Sequence, residues 1–264
     1  MESLAIIRMR LQIASDLHLE LRPTLTPKEI LEPAAPLLAL LGDVAPLDHP
    51  NLAPFLEWCS EYWETVIWIP GYLELLSGQS IIAALETMRG IAARFENLVV
   101  LDHEGMVSSD GIYIFGLTFW KFPKDGTAIW NPDFHRYVEA EPSPIDPALM
   151  RKLHRDDLAW LKKITTAQTE PIVILSHMSP MTWLQEQTFV ADPDKSLVIP
   201  EIELLLRPPV VAWLSGYNHR SIEFQKDWSD ATGARGVVYM ASNPLGRPLE
   251  NTSYKRDAVV RIAT

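Results

Sequence analysis

The chain has too little cysteine for a disulfide, no apolar run long enough to cross a membrane and no surplus of basic residues. Each shortage removes a class of protein. Cys59 is the only cysteine, so no intrachain bridge can form, the core must hold the fold, and a reducing, cytoplasmic setting is expected. No stretch of roughly eighteen or more apolar residues occurs, which argues against a spanning helix. The apolar segment Leu4–Ile7 is too short for a signal peptide and runs through Arg8 and Arg10 into a strand pattern. Lys and Arg number 23 against 34 Asp and Glu, a formal net charge of −11. Duplex nucleic acid, whose binding rests on cations facing phosphates, is therefore not an expected partner. Fixed-period repeats, low-complexity tracts and blocks of like charge are absent as well. No linker divides the chain, so one domain over residues 1–264 is expected.

What is present is a series of short apolar runs that stop abruptly at polar residues. Leu11–Ser15 stops at Asp16, Leu37–Leu41 at Gly42-Asp43, and Val66–Ile69 at Pro70-Gly71. Ile172–Leu175 stops at Ser176-His177 and Val210–Leu214 at Ser215-Gly216. Continuous apolar runs of this length suit strands buried on both faces, and ligands gather beyond the carboxyl ends of such strands. Helical spacing of apolar residues predicts helices over Asn51–Thr65, Gln79–Phe95 and Pro147–Ile164, the last with Leu149, Leu153, Leu158 and Leu161 on one face. Between Phe119 and Pro147 the richness in Pro, Asp and aromatics predicts a long loop carrying Trp120, Trp130, Phe134 and His135. From Arg220 to Ile262 the pattern is strand-like, with Gly233 and Gly236 as turn signals.

Singly, each polar strand end is weak. Asp16-Leu17-His18 is an ordinary tripeptide, Gly42-Asp43 usually just makes a turn, and a lone His177 or His219 is more often structural than a ligand. Their order is informative. Asp-x-His, Gly-Asp, Pro-Gly-x-x-Glu, Ser-His and Gly-x-x-His follow at five strand ends, in LQIASDLHLE, LLALLGDVAP, VIWIPGYLEL, IVILSHMSP and VAWLSGYNHRS. The set resembles the calcineurin-like metallophosphoesterase family, and MASNPLGRPLENTSY resembles a closing segment of one of its branches. The resemblance spans Leu11 to Ile262. It implies an α/β fold, a four-layer αββα sandwich of two mixed β-sheets flanked by helices. It also implies two metal ions above the strand ends, which activate a water and clamp the phosphoryl oxygens.

Carried over position by position, the resemblance assigns Asp16, His18, Asp43 and His219 to the first metal, with Asp43 bridging to the second. Of the second set, Asp43 and His177 remain. Tyr72 stands where the family has an asparagine ligand, Tyr217 where it has a histidine, Leu73 where it has the proton-donating histidine, and Met178 where a companion histidine often follows. Glu74 keeps a loop-supporting position. One ion of Mn, Fe, Zn or Ni is expected rather than two. The tyrosines are open to three readings: rings remodelling the second-metal space, bystanders packed into a vacated pocket, or phenolate ligands of a strongly Lewis-acidic ion. In the first, each buried phenol should find a partner, with His177 or Asp43 as acceptor. Two functions follow. One is weak or non-classical hydrolysis of small phosphate esters, with Arg220, His177 and the tyrosines orienting phosphate. The other is an inactive relative that binds a phosphate ligand or a protein. No catalytic residue is identified by the motifs.

Overall fold

The computed structural model describes residues 7–76, 80–120, 147–181 and 200–263. Eleven strands are found among them. In the first half of the chain they are β1 (Ile7–Ala14), β2 (Leu37–Leu41), β3 (Thr65–Ile69), β4 (Leu98–Val100), β5 (Glu104–Val107) and β6 (Tyr113–Leu117). In the second half they are β7 (Ile172–Ser176), β8 (Val210–Ser215), β9 (Ile222–Ser229), β10 (Arg235–Ser242) and β11 (Val259–Ala263). The helices are α1 (Pro27–Ile30), α2 (Leu52–Tyr62), the single turn α3 (Tyr72–Leu75), α4 (Ile81–Ala92), α5 (Pro147–Ala167) and α6 (Pro200–Glu203).

The strands form a five-stranded sheet, β11-β1-β2-β3-β4, and a six-stranded sheet, β5-β6-β7-β8-β10-β9. Both are mixed. β1 to β4 run parallel, as do β6, β7, β8 and β10, while β11, β5 and β9 join antiparallel at the edges. The apolar runs are continuous because each strand is covered on both faces. Ala39, Leu41, Ile67 and Ile69 of one sheet meet Ile114, Val173, Leu175 and Leu214 of the other in an inter-sheet core. The alternate residues Leu38, Leu40, Val66 and Trp68 pack outward with Phe55, Leu56, Cys59, Ala84 and Met88 of α2 and α4. On the far side Ile172, Ile174 and Trp213 share a core with Met150, Leu158 and Leu161 of α5. This is the expected α/β sandwich of two mixed sheets with helices outside.

Three local expectations are corrected. The second helix ends at Tyr62 rather than Thr65, because Trp63 is already extended (φ −120°, ψ 146°) and Glu64 and Thr65 donate to Pro36 O on the way into β3. In α5 the buried stripe passes through Met150, Asp157, Leu158 and Leu161, whereas Leu149 is 42% exposed. That is the phase a 3.6-residue repeat dictates once Leu158 and Leu161 face inward. Gly233 does turn the β9–β10 hairpin in the left-handed region (φ 86°). Gly236 does not turn; it lies within β10 opposite Trp228, where an added Cβ would stand 3.0 Å from the indole. Trp130, Phe134 and His135 lie outside the described residues. No helix among those described is long and apolar enough to cross a membrane.

Candidate metal centre

The carboxyl ends of β1, β2 and β3 from one sheet and β7 and β8 from the other converge on one spot. Turns there are tight. Asp16, His18, Asp43, Tyr217 and His219 all have φ between 47° and 72°, a region that side-chain-bearing residues seldom adopt and that collects at functional sites. At Gly42 the backbone lies so close to the imidazole of His177 that an added Cβ would sit 2.5 Å from Nδ1. The turns are stitched across the sheets: Tyr217 N–H donates to Asp16 Oδ2 (2.9 Å), His177 Nδ1–H to Leu41 O (2.9 Å) and Gly216 N–H to His177 O (2.8 Å).

Three imidazoles present their Nε2 atoms inward. His18 Nδ1 faces Glu20 Oε1 at 2.8 Å and His219 Nδ1 faces Glu250 Oε2 at 2.6 Å. A carboxylate only accepts, so both Nδ1 atoms carry the proton. Their Nε2 atoms lie 3.3 Å apart, and His219 Nε2 is 3.5 Å from Asp16 Oδ1. His177 Nε2 is 3.5 Å from Asp43 Oδ1. Asp16 Oδ1 and His177 Nε2 are buried without a hydrogen-bond partner. Lone pairs aimed at one another across such gaps repel unless a proton or a cation sits between them. Ligand atoms of Asp16, His18 and His219 lie within 4.8 Å of one another, as do those of Asp16, Asp43 and His177. The resemblance implies one ion shared by Asp16, His18, Asp43 and His219, with Asp43 bridging to a second. Here three of them group together, and Asp43 groups with Asp16 and His177, because Leu73 N–H holds its Oδ1 (2.8 Å) on the His177 side.

The electrostatics show a site that gathers positive charge. Burial by itself would raise the Asp16 carboxyl, but the His219 and His177 imidazoles beside it more than offset this and lower it. Burial would lower His219, yet Asp16 and Glu250 push it up to about 9. His18 is likewise raised, by Glu20, Asp43 and Asp16 against the effect of burial. Protons are drawn to where a cation would lie. The donor set of imidazole nitrogens and carboxylate oxygens, with two buried atoms unpartnered, fits a transition ion.

Tyr72, Tyr217 and His177 stand ring against ring, with centroids 5.6 Å (Tyr72–Tyr217), 5.8 Å (Tyr72–His177) and 5.6 Å (His177–Tyr217) apart. The Tyr72 hydroxyl donates to Met178 Sδ (3.3 Å) rather than to His177 or Asp43. Tyr72 and Met178 thus pack as a pair. Burial, with Asp43 and a second carboxylate or phenol nearby, raises both phenols above their ordinary range, so neither ionises readily. Leu73 is buried and offers the site only its backbone N–H. The Trp120 ring packs against that of Tyr72 at 5.4 Å, tilted by 34°, which brings the start of the expected loop to the site. Arg220 is exposed.

Glu74 is fully buried. It accepts from Asp43 N (3.0 Å), Val44 N (2.8 Å) and Gly71 N (2.9 Å), tying two of the turns together. Burial first, and then the Asp43 charge, push its carboxyl up to about 7. Glu20 and Glu250 escaped the sequence reading. Glu20 lies two residues past His18 and could have been noticed, but nothing in the sequence links Glu250 to His219, 31 positions away.

No protein-family model matches the sequence. A curated uncharacterized protein of Acanthamoeba polyphaga mimivirus is 19% identical over 279 residues, covering 96% of each chain. Among solved structures, phosphopantetheinyl hydrolase from Mycobacterium tuberculosis is similar with a TM-score of 0.63 at 19% identity, over 97% of this chain and 96% of that one. At that identity the likeness is one of fold, and it runs the length of both chains. With two mixed sheets between helices, and Asp and His residues at the strand ends where the sheets meet, the chain has the fold of a calcineurin-like metallophosphoesterase.

Proposed function

We propose that the chain is a metal-dependent phosphoester hydrolase with one dominant ion site, formed by Asp16, His18 and His219, and with Asp43 and His177 alongside. The observation that carries this reading is the buried convergence of Nε2 and carboxylate atoms, two of them unpartnered, where the sheets meet. A bound Mn, Fe, Zn or Ni ion would supply Lewis acidity toward a phosphoryl oxygen and a water. The protein's own groups do the rest. The carboxylates of Asp16 and Asp43 neutralise the ion, the Nε2 lone pair of His177 faces the same spot, the Tyr217 hydroxyl donates to a phosphoryl oxygen, and the buried rings exclude bulk water. Leu73 supplies no proton, so the leaving oxygen departs unaided. Such a site favours esters of acidic alcohols and is slow with alkyl esters, since a missing general acid typically costs about 10²–10⁴-fold. The intended ligand is a small phosphate ester, with no duplex nucleic acid and no membrane involved, in the cytoplasm. The likeness to a phosphopantetheinyl hydrolase makes phosphopantetheinyl esters worth assaying.

The test is release of p-nitrophenolate from p-nitrophenyl phosphate and its bis ester with added Mn²⁺, alongside metal content of the purified protein. Slow turnover is expected, abolished by Asp16→Asn and by His219→Ala. Bound metal with no turnover of either ester would replace this reading with that of a non-catalytic binding module.

A further inference from the structure

The two sets of ligand atoms differ in what stands behind their histidines. His177 Nδ1–H rests on a neutral backbone carbonyl, Leu41 O. His18 and His219 each rest on a carboxylate, from Glu20 on the turn after β1 and from Glu250 on the segment between β10 and β11. Side-chain exposure of Glu20 is only 5%, and its second oxygen, Oε2, is buried without a hydrogen-bond partner. A buried, half-satisfied carboxylate is costly to keep. In the described structure its hydrogen bond goes to His18. Glu250 also accepts Arg247 N–H (2.8 Å), so it shapes its own loop as well as gripping His219.

We propose that Glu20 and Glu250 are positioning residues that lock His18 and His219 with the proton on Nδ1 and make their Nε2 atoms stronger donors, so that the Asp16–His18–His219 set holds a transition ion more tightly than the Asp16–Asp43–His177 set. A carboxylate behind an imidazole fixes the ring and raises the basicity of the opposite nitrogen, whereas a carbonyl fixes the ring with less electronic push. The inference rests on the metal-dependent reading above and deepens it, since it states which ligand set fills first and why.

The experiment is calorimetric titration of the full chain with Mn²⁺ after chelator treatment, comparing the unmodified protein with Glu20→Gln, Glu250→Gln, Glu20→Ala and Glu250→Ala. Glutamine keeps an acceptor for Nδ1–H but removes the charge, and alanine removes both. Affinity of the tight site should fall about 10–100-fold for each glutamine variant and further for alanine. The rise in melting temperature on adding Mn²⁺, measured against each variant's own value in EDTA, gives a second reading that a mere loss of stability would not move. Glutamine variants with a tight-site affinity within about twofold of the unmodified protein would overturn the inference while leaving the metal-dependent reading in place. No binding by the unmodified protein would overturn both.

Discussion

Among single side chains, Glu74 shows how one residue can hold a site without touching its chemistry. Both of its oxygens accept from backbone N–H groups, on the Asp43 turn and on Gly71. A glutamine there must point its NH₂ at one or more of those donors, so it cannot substitute for the acid. Glu74→Ala leaves three buried N–H groups short of a partner, each worth about 1–3 kcal/mol when unmade. We expect a loss of about 2–4 kcal/mol in urea denaturation for Glu74→Ala, after partial rescue by water, and a comparable loss for Glu74→Gln. A glutamine variant as stable as the native protein would show that the hydrogen-bond pattern has been misassigned.

Among the elements, α5 acts as a clamp. Its Asp157 accepts from Trp120 N (2.6 Å) and its His154 Nδ1–H donates to Trp120 O (2.6 Å), fixing the backbone of the residue whose ring packs against Tyr72. Asp157 in turn lies 2.8 Å from His103 Nε2. Burial alone would lower His103, but Asp102 and Asp157 push it up to about 10 from 6.5. The folded state then binds the His103 proton more tightly than the unfolded chain does. Its stabilising effect is fully present below about pH 6.5 and is lost as pH rises through about 10. The gap in urea midpoint between the native protein and His103→Gln should therefore be widest near pH 6 and close by about pH 10.5. A gap that stays constant over that range would mean His103 is held by packing against Trp160 alone.

At the scale of the whole molecule, the two sheets bring the strand ends together, and in the proposed reading Tyr72, Leu73 and Tyr217 stand where an intact two-metal site would have ligands and a proton donor. Catalytic strength should then be recoverable by changing only the side chains that differ. The triple change Tyr72→Asn, Leu73→His and Tyr217→His, with Mn²⁺, should raise p-nitrophenolate release at least about 10²-fold, and each single change should do little, because metal binding and proton donation act together. If the unmodified protein is already fast, and His177→Ala or Asp43→Ala abolishes that rate, the tyrosines have a role in turnover that this reading denies them.

The strands β1, β2, β3, β7 and β8 were legible in the sequence, because strands covered on both faces are apolar and end where polar turns begin, whereas β4, β5 and β6, between residues 98 and 117, were not read. Asp16, His18, Asp43, His177 and His219 stand at or just past such ends, but it was the order of the motifs and the resemblance they carry, not the periodicity, that singled them out. Local pattern misled where packing decides. Leu149 satisfies a helical repeat yet faces outward, and Gly236 looks like a turn yet makes room for Trp228. Only the tertiary structure could reveal that Asp43 is drawn toward His177 by the Leu73 N–H, that Tyr72 donates to Met178, and that Glu250 reaches His219. Those contacts join residues 30, 106 and 31 positions apart. No periodicity records such pairings: the first joins turns at neighbouring strands of one sheet, and the second crosses from one sheet to the other.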